Sequence, residues 1–434
     1  MTDKFVEKMI PKLTEWRRTF HQYPELGFME YVTTYRLGKY LKELGFTIHL
    51  GKNVMEKESR LGMPSDAELL TQEEAGLQNG VEEAWLEEMK GGFTGLVATW
   101  DTEKQGDHVA FRFDIDALPI KEAKENHHLP YKEGFVSGNE GVMHACAHDG
   151  HMTTGLGAAT FIAENHNNLK GRFTLLFQPA EEGGRGAKAM TDKGWLDDVD
   201  YFYTGHIGIS SLPVGTVAAT ITGFLATTKL NADFSGVASH AGMKPELGKN
   251  ALIAAATAAT NLYTIARHSD GISRVNVGKI VAGSGRNVIP DEGHLEIEVR
   301  GKTKEINDYM LVEAKRIIKA AADMYDVSVN VEIVGGAEEI NCDDEVISVM
   351  ERGRVADSCL KEVLPTIEVA GSEDASYMIN KVKENGGKAT YMLFGTKLDY
   401  PHHHRQFDFE ESTLAVALET YVSIIKGGST LEPH

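Results

Sequence analysis

Apolar and polar residues do not keep one rhythm along the chain. From residue 5 to 45 apolar side chains recur three and four apart, the spacing of one helix face, which predicts two helices joined near Tyr23-Pro24 with Gly45 as a C-cap. A short strand is expected at 46–50. From residue 93 the pattern changes: GLVATWD, HVAFRFDID, RFTLLFQP and YFYTGHI are compact apolar runs, separated by helical stretches at 150–165 and 184–193. Strands apolar on both faces need cover on both sides, so this part predicts an α/β fold with a mostly parallel sheet.

Residues 222–335 follow another plan: strand 225–237, an Ala-rich helix 248–267, strands 274–282 and 292–301, helix 304–324 and strand 327–334. That order describes an α+β unit with its own core, and the loops Ser210–Gly215 and Gly335–Glu338 are its expected hinges. The chain then returns to the first plan with a helix at 343–356, a strand at 389–394 and a final helix from 411 to 425. Two domains are therefore expected, 1–221 with 336–434, and 222–335 inserted between them. The stretch 52–92 stands apart, with ten acidic and three basic residues between Glu56 and Lys90 and helical patterns at 66–75 and 80–89. It reads as a solvated helical insertion and not as a site.

Composition narrows the partners. The 434 residues carry 44 Lys and Arg against 64 Asp and Glu, a formal charge of −20, which repels nucleic acid and anionic membranes. With no long apolar run and no secretory leader pattern, the expected location is cytoplasmic. Three sparse cysteines, Cys146, Cys342 and Cys359, suggest reduced thiols.

Polar clusters punctuate the ends of four apolar runs: FDIDALP (113–119), MHACAHDGH (143–151), QPAEEGG (178–184) and GHIG (205–208). Positions i and i+2 do not share a helix face, so Cys146 and His148 can meet one metal only from a turning backbone ahead of a helix. Asp149 suits that helix's N-cap or a supporting role, and His144 and His151 suit packing. In Glu181-Glu182 one carboxylate can bind metal while the other takes a proton from water. His206 offers a further imidazole, and one histidine of PHHHRQF (401–407) can return to the same place.

Taken together, WRRTFHQYPELGF, RFDIDALP, MHACAHDGH, LLFQPAEEG, GHIG, SHAGMKPE, SGRNVIP and the late HHxxxF resemble the peptidase M20 amidohydrolases, in the subgroup of that family that hydrolyses N-acyl amino acids. The resemblance runs essentially end to end. It implies an aminopeptidase-like catalytic domain with two divalent metal ions, manganese in preference to zinc, and an inserted α+β lid that also dimerises. By motif, Cys146 bridges the ions, His148 and His206 complete one, and Glu182 and His403 the other. His403 lies four residues before Phe407, with His404 as the fallback. Glu181 is the implied general base, Asp116 orients the cluster, His240 stabilises the oxyanion, and Arg286 and Asn287 grip the substrate carboxylate. One letter departs from the subgroup's HACGHD: Ala147, expected in a turn that keeps a negative φ.

The SRLGMP insertion, GGFTG, GSGRNVIP, GSEDAS and FGT narrow the implied substrate to p-aminobenzoyl-glutamate, split to p-aminobenzoate and glutamate by a homodimer or a heterodimer with a related subunit. A broader aminoacylase or dipeptidase, a cysteine hydrolase using Cys146 with His148, and an assembly subunit inactive without its partner are the competing readings.

Overall fold

The computed structural model describes residues 4–345, 347–349 and 358–429. The chain forms two compact units: Met1–Gly223 with Ile340–Val369 and Asp374–His434, and Phe224–Glu339 with Ala370–Glu373.

The first unit opens with helices α1 (Lys4–Gln22) and α2 (Tyr31–Leu44), the latter ending at Gly45 in the left-handed conformation. Strand β1 (Thr47–His49), helices α3 (Asp66–Gln78) and α4 (Glu83–Met89), strands β2 (Leu96–Asp101) and β3 (His108–Asp114), and the short α5 (Leu129–Lys132) follow. Next come α6 (His148–Asn165), β4 (Arg172–Gln178), α7 (Ala187–Asp192), β5 (Tyr201–Ile207) and β6 (Thr216–Thr222). A Ser65–Glu68 capping box starts α3, so this insertion helix has a local start signal as well as tertiary support. The insertion is also less solvated than its charge suggests. Leu69, Val81, Leu86 and Met89 are buried with Met29, Tyr31 and Val32 in a small core.

The second unit contains β7 (Ala226–Ser235), β8 (Ser239–His240), α8 (Ala251–Leu262), β9 (Ser273–Ala282), β10 (Val288–Ile289), β11 (Glu292–Gly301), α9 (Lys304–Met324) and β12 (Ser328–Ala337). Four of these six strands form an antiparallel sheet in the order β12-β7-β11-β9, and β8 pairs with β10 in a separate two-stranded ribbon. Leu230, Ala232, Phe234, Leu295 and Ile297 share their core with Ala254, Ala258 and Ile318 of the two helices.

The chain completes the first unit with β13 (Glu362–Glu368), α10 (Ala375–Glu384), β14 (Lys388–Phe394) and α11 (Ser412–Ser429). The helix expected over 343–356 lies partly outside the described residues. The eight-stranded sheet has the order β1-β2-β4-β3-β5-β14-β6-β13. Four of its seven neighbour pairs are parallel: β3 with β4, β3 with β5, β5 with β14, and β6 with β13.

The loop expected as a hinge at Ser210–Gly215 instead leads into β6, a strand of the first sheet that the apolar pattern leaves unassigned. The chain enters the second unit only at Phe224. Alternation along β3 fixes what covers the sheet. Phe111 and Phe113 pack edge-on against Tyr421 of α11, while Arg112 points the other way, to Asp374 at the start of α10. Helix α6 is buried along most of its length, and a Cβ at Gly155 would come within 2.7 Å of the Phe113 ring, so glycine lets helix and sheet touch. Among the described residues no helix is long and apolar enough to cross a membrane.

Candidate metal centre

Strands β3, β4 and β5 are mutually parallel neighbours, so their carboxyl ends open on one edge, the place where an open α/β sheet puts its ligands. Asp114 and Asp116 stand two apart at the end of β3. Asp114 Oδ2 accepts from Arg112 at 2.7 Å, and its Oδ1 accepts from His151 Nδ1 at 2.5 Å. The other nitrogen of His151 accepts the Ile207 N–H at 2.9 Å. With both ring nitrogens engaged, His151 ties α6 to β5 and has no lone pair left for a metal. Asp116 joins two other segments: its carbonyl accepts from His148 Nδ1 at 2.9 Å, and its Oδ2 accepts the Glu182 N–H at 2.9 Å.

His148 is the first residue of α6, and Ala147 before it has φ 64°, contrary to the expected negative φ. The chain must turn sharply to bring Cys146 to the sheet edge while starting a helix, and that turn is left-handed. His148 Nε2 is buried without a hydrogen-bond partner among the described residues. It lies 3.7 Å from Asp114 Oδ1 and 3.8 Å from Glu181 Oε2. Burial alone would lower the pKa of His148, but Asp114 and Asp116 outweigh it and hold it up to about 10. His206 is the opposite case. Burial, with further lowering by neighbouring histidines, keeps it neutral, Nδ1 donates to the Ile207 carbonyl at 2.9 Å, and Nε2 faces Cys146 Sγ at 3.4 Å. A cysteine hydrolase reading pairs Cys146 with His148, whereas the imidazole in hydrogen-bond contact with the thiol here is that of His206.

Past β4, Ala180 also takes a positive φ, 50°, and donates its N–H to Glu30 Oε1 at 2.8 Å, which turns Glu181 and Glu182 back over the sheet edge. Glu182 Oε1 lies 3.4 Å from His403 Nε2. His403, at φ 63°, is anchored by its N–H to the Ala145 carbonyl at 2.9 Å. His404 stacks flat on Tyr400 at 4.6 Å and its Nδ1 accepts the Gln406 N–H, which leaves it the poorer candidate of the two. His402, which the sequence does not single out, packs against His206 with ring centroids 5.0 Å apart and bonds the Gly208 carbonyl through Nε2.

The donor atoms form overlapping sets, each within 4.8 Å: Cys146, Glu182 and His403; Cys146, His206 and His402; and His148, Glu181 and Glu182. Cys146 is common to the first two, as a bridging ligand must be. His148 does not share a set with Cys146 but meets the glutamates, and separately His151 and His206. Buried Nε2 of His148, Oε1 of Glu182 and Oδ1 of Asp116 all lack hydrogen-bond partners among the described residues. Buried polar atoms without hydrogen-bond partners and a thiol at one sheet edge fit divalent cations, whose binding would displace the His148 proton, and the mixed S, N and O ligands suit zinc or manganese.

Behind this edge lies a charged network that the sequence hides in WRRTFHQ and KEAKE. Asp149 is not the N-cap; its Oδ2 accepts from Arg17 Nε at 3.1 Å and His21 Nδ1 at 2.8 Å. His21 Nε2 meets Glu122 Oε1 at 2.9 Å, and Arg17 also holds Asp408 and Glu411. Burial would lower the His21 pKa, but its two carboxylates raise it to about 9. Glu122, which burial would raise, is drawn down to about 2 by His128 and His21.

His240, Arg286 and Asn287 belong to the second unit. His240 pairs with Val288 across the β8–β10 ribbon, and Ala241 N–H donates to the Asn287 carbonyl at 3.0 Å, so the three lie at one end of that two-stranded ribbon with exposed side chains.

The sequence matches the peptidase family M20/M25/M40 over residues 110–427. It is 44% identical to indole-3-acetyl-aspartic acid hydrolase of Enterobacter agglomerans, over 97% of this chain and 96% of that protein. It is also 44% identical to the A subunit of p-aminobenzoyl-glutamate hydrolase from Escherichia coli K12, over 96% of each. The crystal structure of an aminobenzoyl-glutamate utilization protein from Klebsiella pneumoniae superposes with a TM-score of 0.83 at 38% identity, over 98% of each chain.

Proposed function

We propose a substrate from a settled premise: the chain belongs to peptidase family M20/M25/M40 and is a metal-dependent amidohydrolase. The substrate is an N-acylated acidic amino acid with an aromatic acyl group, in the first place p-aminobenzoyl-glutamate, cleaved to p-aminobenzoate and glutamate. What carries the reading is the kinship at 44% identity with two hydrolases whose names specify an aryl-bearing acyl group on aspartate or glutamate.

Cys146, His148, Glu182, His206 and His403 would hold two divalent ions, manganese preferred and zinc the alternative. Bound there, such ions supply a Lewis acid for the amide carbonyl and acidify the attacking water. Glu181, whose Oε2 lies 3.8 Å from His148 Nε2, takes the proton from that water and returns it to the leaving amine. Asp116 fixes His148 and the Glu182 backbone in register through the contacts described above. In the second unit, read as the lid and dimerisation domain, His240 would reach a neighbouring subunit's active site and stabilise the oxyanion there, while Arg286 with Asn287 would receive a carboxylate. Assembly is either with a second copy or with a related subunit, as the name of the E. coli relative suggests.

The test is a panel of N-acyl amino acids hydrolysed by the purified chain with added Mn²⁺ or Zn²⁺, alongside Glu181→Ala. Expected are a preference for aroyl or arylacetyl conjugates of glutamate or aspartate, and metal bound by both proteins. The variant's kcat should fall by about 10²–10⁴. Equal rates on neutral and acidic amino-acid conjugates would leave a broad aminoacylase instead.

A further inference from the structure

The acidic insertion between β1 and β2 packs along the segment that carries the two glutamates. The Glu56 N–H donates to the Ala189 carbonyl at 2.8 Å, Ser59 Oγ to Asp192 at 2.5 Å, and Trp195 Nε1 to the Asn53 carbonyl at 3.0 Å. Where this seam reaches the catalytic loop, one side chain closes it. Arg185 Nε donates to the Glu182 carbonyl at 2.8 Å and Nη1 to the Gly62 carbonyl at 3.1 Å, while the Arg185 carbonyl accepts the Leu61 N–H at 3.3 Å. The guanidinium lies 5.6 Å from the Phe28 ring centroid and so close to Gly27 that a Cβ there would come within 2.3 Å of Nη2. Among the described residues Arg185 makes no ion pair. Its fork is used on backbone carbonyls of two segments far apart in sequence, a geometry that the single ammonium of lysine does not reproduce.

We infer that Arg185 is a positioning residue. It couples the insertion 52–92 to the loop 180–186 and so sets the aim of Glu181 and Glu182. The far side of that loop is already held, since Glu30 accepts from Ala180 N–H and from Thr94 Oγ1. The loop is short and glycine-rich, with Gly183 and Gly184 both at positive φ; it is closed by the Gly184 N–H on the Glu181 carbonyl at 2.7 Å and by the Arg185 and Gly186 N–H groups on the Ala180 carbonyl at 3.2 and 2.9 Å. Those bonds shape the loop, and Arg185 ties its Glu182 carbonyl to Gly62 of the insertion, which fixes where the shaped loop sits; a displacement of about 1 Å at a reacting group is enough to cost about 10²-fold in rate. The inference rests on the assignment of Glu181 as the base.

The experiment compares the full chain with Arg185→Ala and Arg185→Lys by hydrogen exchange and by steady-state kinetics at saturating Mn²⁺, on whichever conjugate the parent turns over. In Arg185→Ala, amide exchange in 56–62 and 180–186 is expected to quicken together, with β3, β4 and β5 unchanged. The kcat should fall by about tenfold or more at nearly constant KM and recover in part with added guanidinium salt, which a loss of fold would not allow. Arg185→Lys keeps the charge and the stem, and serves if the alanine variant does not fold; its kcat should fall too. Unchanged exchange in 56–62, or a kcat within about twofold of the parent in the folded variants, overturns the inference. Exchange needs no substrate, so it still reports the coupling if the proposed substrate is wrong, and Glu181→Ala shows separately whether the base is correctly assigned.

Discussion

At the scale of single residues, three non-glycine positions with positive φ flank the donor cluster: Ala147, Ala180 and His403. Each is the point where the chain turns back to put a ligand over the sheet edge, and such conformations hold only when the surroundings over-determine them, at about 1–3 kcal/mol apiece. Ala147→Gly should therefore stabilise the protein by about 1 kcal/mol and raise its melting temperature by about 2 °C, because glycine adopts αL without the Cβ clash. An unchanged or lower melting temperature would show that the αL turn carries no strain there. The residue types of the cluster are legible in the sequence, since cysteine, histidine and paired glutamates at the ends of apolar runs are conspicuous. The sign of φ at Ala147 is not legible, because the direction of the approach to α6, and not alanine's preference, sets it. His402 and Asp114 escape for a related reason: one is hidden in a histidine run, the other in a run already credited to Asp116.

Among the elements, α1 is tied to α6 by buried charge as well as by apolar packing, and that tie makes stability depend on pH. The His21 pKa, raised from 6.5 to about 9, contributes stability fully present below pH 6.5 and lost as the pH rises through 9. Glu122, lowered from 4.5 to about 2, contributes stability present above pH 4.5 and lost as the pH falls through 2. Both contributions are whole only between those two ordinary values. His21→Gln should destabilise most near pH 6, on the order of 3 kcal/mol, with the difference from the parent shrinking towards pH 9. Urea unfolding at several pH values measures this, and a difference that does not vary with pH would dissociate the tie from His21's charge. The helices of strong 3.6 periodicity are readable from pattern alone. Strand β13 is not, since Pro365 interrupts EVLPTIE and this edge strand has four exposed, three half-buried and no buried residues, which leaves no apolar alternation to read. Its neighbour β6 is likewise recognised only once the sheet is assembled.

For the whole molecule, metal and fold are coupled. Buried imidazole and carboxylate atoms without hydrogen-bond partners meet at one sheet edge, so chelation should abolish activity and lower the melting temperature, and added Mn²⁺ should restore both in a concentration-dependent way. Activity that survives exhaustive chelation would reopen the cysteine reading. If Arg286 binds the substrate's carboxylate, Arg286→Ala should raise KM by about 10–100-fold with a smaller effect on kcat, as expected for a charge-assisted pair lost on binding. The sequence by itself determined the α/β sheet with an inserted α+β unit and the residue types that can bind metal. Those follow from apolar periodicity and side-chain chemistry, which are local. Tertiary structure decided what depends on groups distant along the chain: that His151 is spent between Asp114 and Ile207, that His206 faces Cys146, and that the acidic insertion grips the glutamate loop through Arg185. A hydrogen bond between segments 37 to 123 residues apart leaves no period in the sequence.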